Sequence, residues 1–254
     1  MKPLENKRIL VTRPRAQAAE LCDKLAAHGA LPIVFPTIEI APLDDYTALD
    51  RAIRHLAQYQ WIIFTSVNGV KAFWDRLDVI GGGITPTMRV AAIGPATASA
   101  LQAHDVTVTL IPDEYVAEAI IESIGAVQGQ RILLPRADIA RETLAVELQQ
   151  RGALVDEISA YRTLPAQPDP NGLIELRRGV DVITFTSAST VRNFVALVGR
   201  DSIPPEAFIA CIGPITANTA REFDLRVDIQ ATDYTTDGLV AALVKHFAET
   251  AVEK

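Results

Sequence analysis

Short runs rich in apolar residues recur along the chain. In the first half they fall at 9–12, 62–65, 90–93 and 106–110, and in the second at 132–134, 182–186, 209–212 and 227–229. A strand that is apolar at every position is buried on both faces, as in a parallel sheet covered by helices. Most of these runs are followed by a stretch of helical period. In 16–28, for example, Ala18, Leu21, Cys22 and Leu25 form one stripe. Strands alternating with amphipathic helices predict an α/β, doubly wound architecture.

The pattern occurs twice. "KRILVTRPRAQAAELCDKLAAHGA" at 7–30 answers to "QRILLPRADIARETLAVELQQRGA" at 130–153, "FTS" at 64–66 to "FTS" at 185–187, and "VAAIGPATASAL" at 90–101 to "IACIGPITANTA" at 209–220. The offset shrinks from 123 (Gly29, Gly152) through 121 (Ser66, Ser187) to 119 (Gly94, Gly213), as small loop deletions leave after a tandem duplication. Two segments at equivalent places, 36–44 and 158–170, are extended and punctuated by proline, and read as crossings between two lobes instead of core strands.

Composition narrows the function classes. A hydrophobic fraction of 49% and a charged fraction of 22% over 254 residues describe an ordinary globular chain. The formal net charge of −7, with no basic cluster beyond Lys7-Arg8 and Arg177-Arg178, speaks against nucleic-acid binding. Cys22 and Cys211 are far apart in sequence and outside any CxxC pattern, which predicts free thiols. No run is long enough to span a membrane and the first residues carry no signal-peptide pattern, so a soluble, cytoplasmic protein is expected.

Candidate chemistry sits where strands end. In open parallel sheets ligands bind beyond the carboxyl ends of the strands, against free N–H groups at helix starts. Thr65-Ser66 and Thr186-Ser187 occupy one pair of such exits, and Gly94-Pro95 and Gly213-Pro214 another. Helix capping and tight turns account for each residue alone; their recurrence at matching exits suggests a cleft for an anion. No GxGxxG, Walker loop, HExxH or GxSxG is present, and His28, His55, His104 and His246 have no ligand spacing, so neither metal nor nucleotide cofactor is expected.

The motifs "RILVTRP", "FTSVNGVKAF", "AAIGPATASAL", "AYRTLP", "ITFTSASTVRNF", "CIGPITANTA" and "DYTTDGLVAAL", spread over 8–243, together resemble the uroporphyrinogen-III synthase family. The resemblance implies two flavodoxin-like doubly wound parallel-sheet lobes joined by a two-stranded linker. One lobe would take 1–38 plus 166–254, the other 43–159, with linker strands at 37–42 and 160–165. It implies cyclisation of hydroxymethylbilane, an open-chain tetrapyrrole bearing an acetate and a propionate on every ring, with inversion of the last ring and loss of water. The substrate could be handed over by hydroxymethylbilane synthase, to a monomer without a cofactor. The resemblance assigns Tyr161, on the linker, as proton donor. It assigns backbone donors near Ser187-Ala188 and Ile212-Gly213, with Thr235-Thr236, to substrate carboxylates, and Thr65-Ser66 and Ile93-Gly94 to the opposite wall. Arg13, Lys71, Arg136 and Arg192 are the cationic candidates. Ala188 stands where the family favours proline, and Asp224 where a glycine is usual. A non-catalytic two-lobed protein that closes on a small anion is the rival reading. Such proteins usually carry a signal peptide or a helix-turn-helix, and neither is seen.

Overall fold

A computed structural model describes residues 2–140 and 143–252. Its strands are β1 (Arg8–Val11), β2 (Leu31–Val34), β3 (Ile38–Ala41), β4 (Trp61–Phe64), β5 (Arg89–Ala92), β6 (Arg131–Ala137), β7 (Leu154–Pro165), β8 (Val182–Phe185), β9 (Phe208–Cys211) and β10 (Val227–Gln230). The helices are α1 (Arg15–Ala27), α2 (Thr47–Arg54), α3 (Val67–Ile80), α4 (Pro95–Gln102), α5 (Ala117–Ser123), α6 (Thr143–Gln150), α7 (Pro170–Arg177), α8 (Ala188–Val198), α9 (Pro214–Glu222) and α10 (Thr236–Val252). Two compact units divide the chain: one runs to Glu39 and resumes at Leu164, and the other is Ile40–Thr163.

The first unit holds a sheet of order β10-β9-β8-β1-β2, parallel at each junction. Alternate side chains of β1 go to opposite faces. Ile9 and Val11 pack with Leu21, Leu25, Leu239 and Leu243, whereas Leu10 packs with Phe35, Phe185 and Phe194. That two-sided burial is why the strand reads as an unbroken apolar run. Chain order reverses between β1 and β8, the topological switch point of the sheet.

The second sheet has the order β3-β7-β6-β4-β5, with β7-β6, β6-β4 and β4-β5 parallel. Ile62, Phe64 and Leu133 pack with Phe73 and Trp74 on one face; Ile63, Ile132 and Leu134 pack with Ile120 and Leu148 on the other.

Three expectations need correction. Residues 106–110 form no strand: only Leu110 bridges Ala91, and the Thr109 hydroxyl accepts from the Val90 N–H at 3.1 Å, a side-chain bond in place of a ladder bond. The crossings at 37–42 and 160–165 are sheet strands as well: they fall in β3 and the end of β7, neighbours in the second sheet with Ala160 and Tyr161 in its core, and the division between the units lies within them, after Glu39 and after Thr163. Strand β2 went unread because Pro32 interrupts it. The proline is tolerated because β2 lies at the edge of its sheet.

The two departures from the family pattern are mild. Asp224 adopts φ 54°, the left-handed region that favours glycine but that aspartate also tolerates, and Asp105 does the same at φ 59°. Ala188 is the first residue of α8, a position that suits proline or alanine.

Both cysteines are free, and Cys211 is completely buried in β9. Burial pushes its thiol up to about 12. The folded protein therefore holds this proton more tightly than the unfolded chain, whose thiols ionise near pH ~8.5. The stability linked to it is complete below that pH and is lost as pH climbs towards 12. Alkylation at pH 8 is expected to leave Cys211 untouched in the native state and to modify it on unfolding; native labelling by mass spectrometry would contradict this burial.

Candidate active site

Buried threonines tie the strand ends together at the first switch point. The Thr12 hydroxyl donates to the Thr184 carbonyl at 2.7 Å, the Thr184 hydroxyl to that of Leu10 at 2.9 Å, and the Thr37 hydroxyl reaches the Thr12 and Thr190 carbonyls at 3.2 Å each. Arg13 follows directly. Its Nη2 donates to Gln17 Oε1 at 3.3 Å, but Nε and Nη1 are buried with no hydrogen-bond partner. Burial lowers this guanidinium from its ordinary range, against the opposing pull of Glu20. Glu20 itself is held elsewhere, by Lys24 at 2.7 Å and by the Thr236 hydroxyl at 2.9 Å. A half-buried arginine with two buried donors open calls for an anion.

The serines at the strand exits cap helices, as the plainer reading expects. Ser187 forms a capping box with Thr190 at the start of α8, so its own N–H is taken by the Thr190 hydroxyl at 3.2 Å. The Ser66 hydroxyl accepts from the Gly69 N–H at 2.9 Å at the start of α3. Thr235 caps in the same way, accepting from the Gly238 N–H at 3.0 Å while donating to Asp233. Ala188 opens α8 and Thr65 lies half-buried between β4 and Ser66.

Two expected backbone donors are already used. Ile93 N–H donates to the Phe64 carbonyl at 3.0 Å and Ile212 N–H to that of Phe185 at 2.9 Å, each linking neighbouring strand exits. Gly94 and Gly213 fare differently: α4 and α9 begin at them with proline in the first turn and no side-chain cap. A tyrosine ring covers each glycine. An added Cβ would come within 3.0 Å of Tyr115 at Gly94 and within 3.1 Å of Tyr234 at Gly213. These tyrosines were missed, although they recur at the same spacing as the glycines they cover.

At the second switch point, between β6 and β4, Arg136 occupies the place that Arg13 holds in the first unit. It is 7% exposed, and its Nη1 donates to Glu157 Oε1 at 2.7 Å. Tyr161, on β7, is also 7% exposed, and its hydroxyl lies 3.1 Å from Ser66 Oγ. Burial pushes the phenol above its ordinary range, with Asp138 in the same direction; Ser66, Asn68 and Arg136 oppose it. Tyr161 and Asn68 line a pocket of about 390 Å³ together with Tyr46, Lys71 and Arg76. Lys71 is exposed there and paired with Asp75, while Arg192 is exposed on α8.

Each unit thus places an arginine with buried guanidinium nitrogens at the end of one central strand or just beyond it, and a helix-capping serine after the neighbouring strand, which defines a duplicated α/β protein with polar groups gathered at both switch points. The chain belongs to the uroporphyrinogen-III synthase family, whose model, described as uroporphyrinogen-III synthase HemD, matches residues 19–241. It is 36% identical to the uroporphyrinogen-III synthase of Synechococcus elongatus over 98% of both chains. It is 31% identical to a porphyrin biosynthesis protein of Ruminiclostridium josui, over 96% of this chain and 49% of that longer one. A crystal structure of a mutant uroporphyrinogen III synthase from Thermus thermophilus shares the fold, with TM-score 0.68 and 18% identity over 98% of this chain and 100% of that one.

Proposed function

We infer that the protein closes hydroxymethylbilane to uroporphyrinogen III with inversion of the last ring and loss of water, a step of tetrapyrrole biosynthesis. Family membership along nearly the whole chain is the observation that carries this reading. The strand order of the first sheet, reversing at β1/β8, supports a flavodoxin-like lobe. In the first unit Arg13 would take a substrate carboxylate on its open nitrogens, with the uncapped start of α9 at Gly213 supplying backbone donors. In the second unit Tyr161 would give a proton to the departing hydroxyl, and its proton is retained because burial disfavours the charged form.

The chemistry asks little of the protein beyond this. Loss of water leaves a cation that the terminal ring attacks without further help, and holding the chain in one folded geometry selects the product. Thr235 and Ser187 shape helix starts instead of offering free hydroxyls. Incubation of the purified protein with hydroxymethylbilane, followed by oxidation and separation of the porphyrin isomers, is expected to yield the type III isomer. Type I product alone would overturn the reading.

A further inference from the structure

We propose that Ser66, Asn68 and Arg136 hold the Tyr161 oxygen as a phenolate between two proton transfers, so that one tyrosine acts first as the acid and then as the base of a single turnover. This rests on the cyclase reading above and adds the source of the second proton transfer.

The molecule contains its own control. Tyr59 is equally buried, at 5% exposure, and donates its hydroxyl proton to the Asp156 carboxylate at 2.6 Å. An acceptor of that kind fixes the proton in place, and the tyrosine is structural. The Tyr161 oxygen lies beside a hydroxyl instead of a carboxylate. Ser66 Oγ already accepts from the Gly69 N–H, so its own proton is available to the Tyr161 oxygen at 3.1 Å. The Asn68 side chain hydrogen-bonds the same phenol, and the Arg136 charge favours its anion. Glu157 on β7 secures that guanidinium at 2.7 Å. Of the other charges nearby, Asp138 opposes the anion, while Lys71 and Arg76 on α3 are each paired with an aspartate, Asp75 and Asp50.

The protons balance. Tyr161 gives its proton to the hydroxymethyl oxygen, which leaves as water with the electron pair of the broken C–O bond. Attack by the terminal ring, opening and reclosure form the new C–C bond. The ring carbon that closed then loses its proton, the C–H electrons restore the pyrrole, and the phenolate takes that proton back. No oxidant or co-reactant is consumed.

A single fluorinated tyrosine at position 161, followed by fluorine NMR, reports ionisation directly. Ser66→Ala is expected to raise the titration of that phenol by about half a unit to one unit and to lower kcat about 3–10-fold with KM unchanged. Ser66→Thr restores both, and the fluorinated phenol, being more acidic, restores part of the rate in Ser66→Ala. Arg136→Gln moves the titration in the same direction. For the base role, a substrate deuterated at the free carbon of the terminal ring should show a larger isotope effect in Tyr161→Phe than in the wild type. An unmoved titration in Ser66→Ala, a loss confined to KM, or an unchanged isotope effect overturns the proposal. If the wild type forms no type III product, the cyclase reading fails instead, and the titration still decides whether these three residues stabilise the phenolate.

Discussion

Replacing Tyr161 with phenylalanine is expected to lower turnover about 10²-fold while the product remains type III and the fold stays intact. A positioned acid is worth about 10²–10⁴ in rate, and a phenol sits towards the low end because it is a weak acid at neutral pH. Loss of the substrate hydroxyl is assisted by the pyrrole itself, so the reaction survives in reduced form. Phenylalanine keeps the ring among Phe64, Trp74 and Leu133, so the core is preserved. The hydroxyl's partner at Ser66 is half-buried and stays occupied by the Gly69 N–H, which limits the stability cost to about 1 kcal/mol. Near-full activity in Tyr161→Phe, measured by isomer-resolved kinetics, would assign the acid to another group.

Arg13→Met is expected to move stability and function in opposite directions. The guanidinium is partly desolvated and its Nε and Nη1 have no hydrogen-bond partner, a cost that the more distant Glu20 offsets only in part. Methionine fills similar space without that penalty, and a gain of about 1 kcal/mol would raise the melting temperature by roughly 2–4 °C. Binding should suffer, because charge-assisted hydrogen bonds to a carboxylate contribute about 1.5–3 kcal/mol, or roughly 10–150-fold in KM. Arg13→Lys should recover only part of it, since an ammonium lacks the two-pronged geometry. A variant that is less stable, with KM unchanged, would show that Arg13 supports the fold and not the ligand.

The central strands were legible in the sequence because burial on both faces leaves a run with no polar position, as in Ile62, Ile63 and Phe64. Edges were not. Strand β2 carries Pro32 and is exposed at Leu31, and much of β7 has polar residues such as Asp156 and Glu157 that meet partners across strands. The strand exits that make up the candidate site were legible, but not which of their groups are free. The duplicated exits pointed to the switch points, yet nothing in the sequence says that the Ile93 and Ile212 N–H groups are used up by neighbouring strands, since that depends on register. Tyr161 rested on family resemblance, because a tyrosine in an extended segment has no signature of its own. Tyr115 and Tyr234 did have one, the spacing they share with Gly94 and Gly213.

The unequal fates of Arg13 and Arg136 bear on a problem of selection. The inferred substrate is four nearly alike pyrroles in a row, and its product differs from the alternative in the orientation of one ring. Two identical half-sites, as in a dimer of either repeat, would offer such a chain two equivalent ways to bind, head first or tail first, and would close it from both. The two arginines of the repeat differ in their partners: Arg136 donates to the Glu157 carboxylate, whereas Arg13 donates to the neutral Gln17 side chain. On the roles proposed for Arg13 and Tyr161 the two repeats are no longer interchangeable, so a repetitive molecule would meet a different chemistry in each.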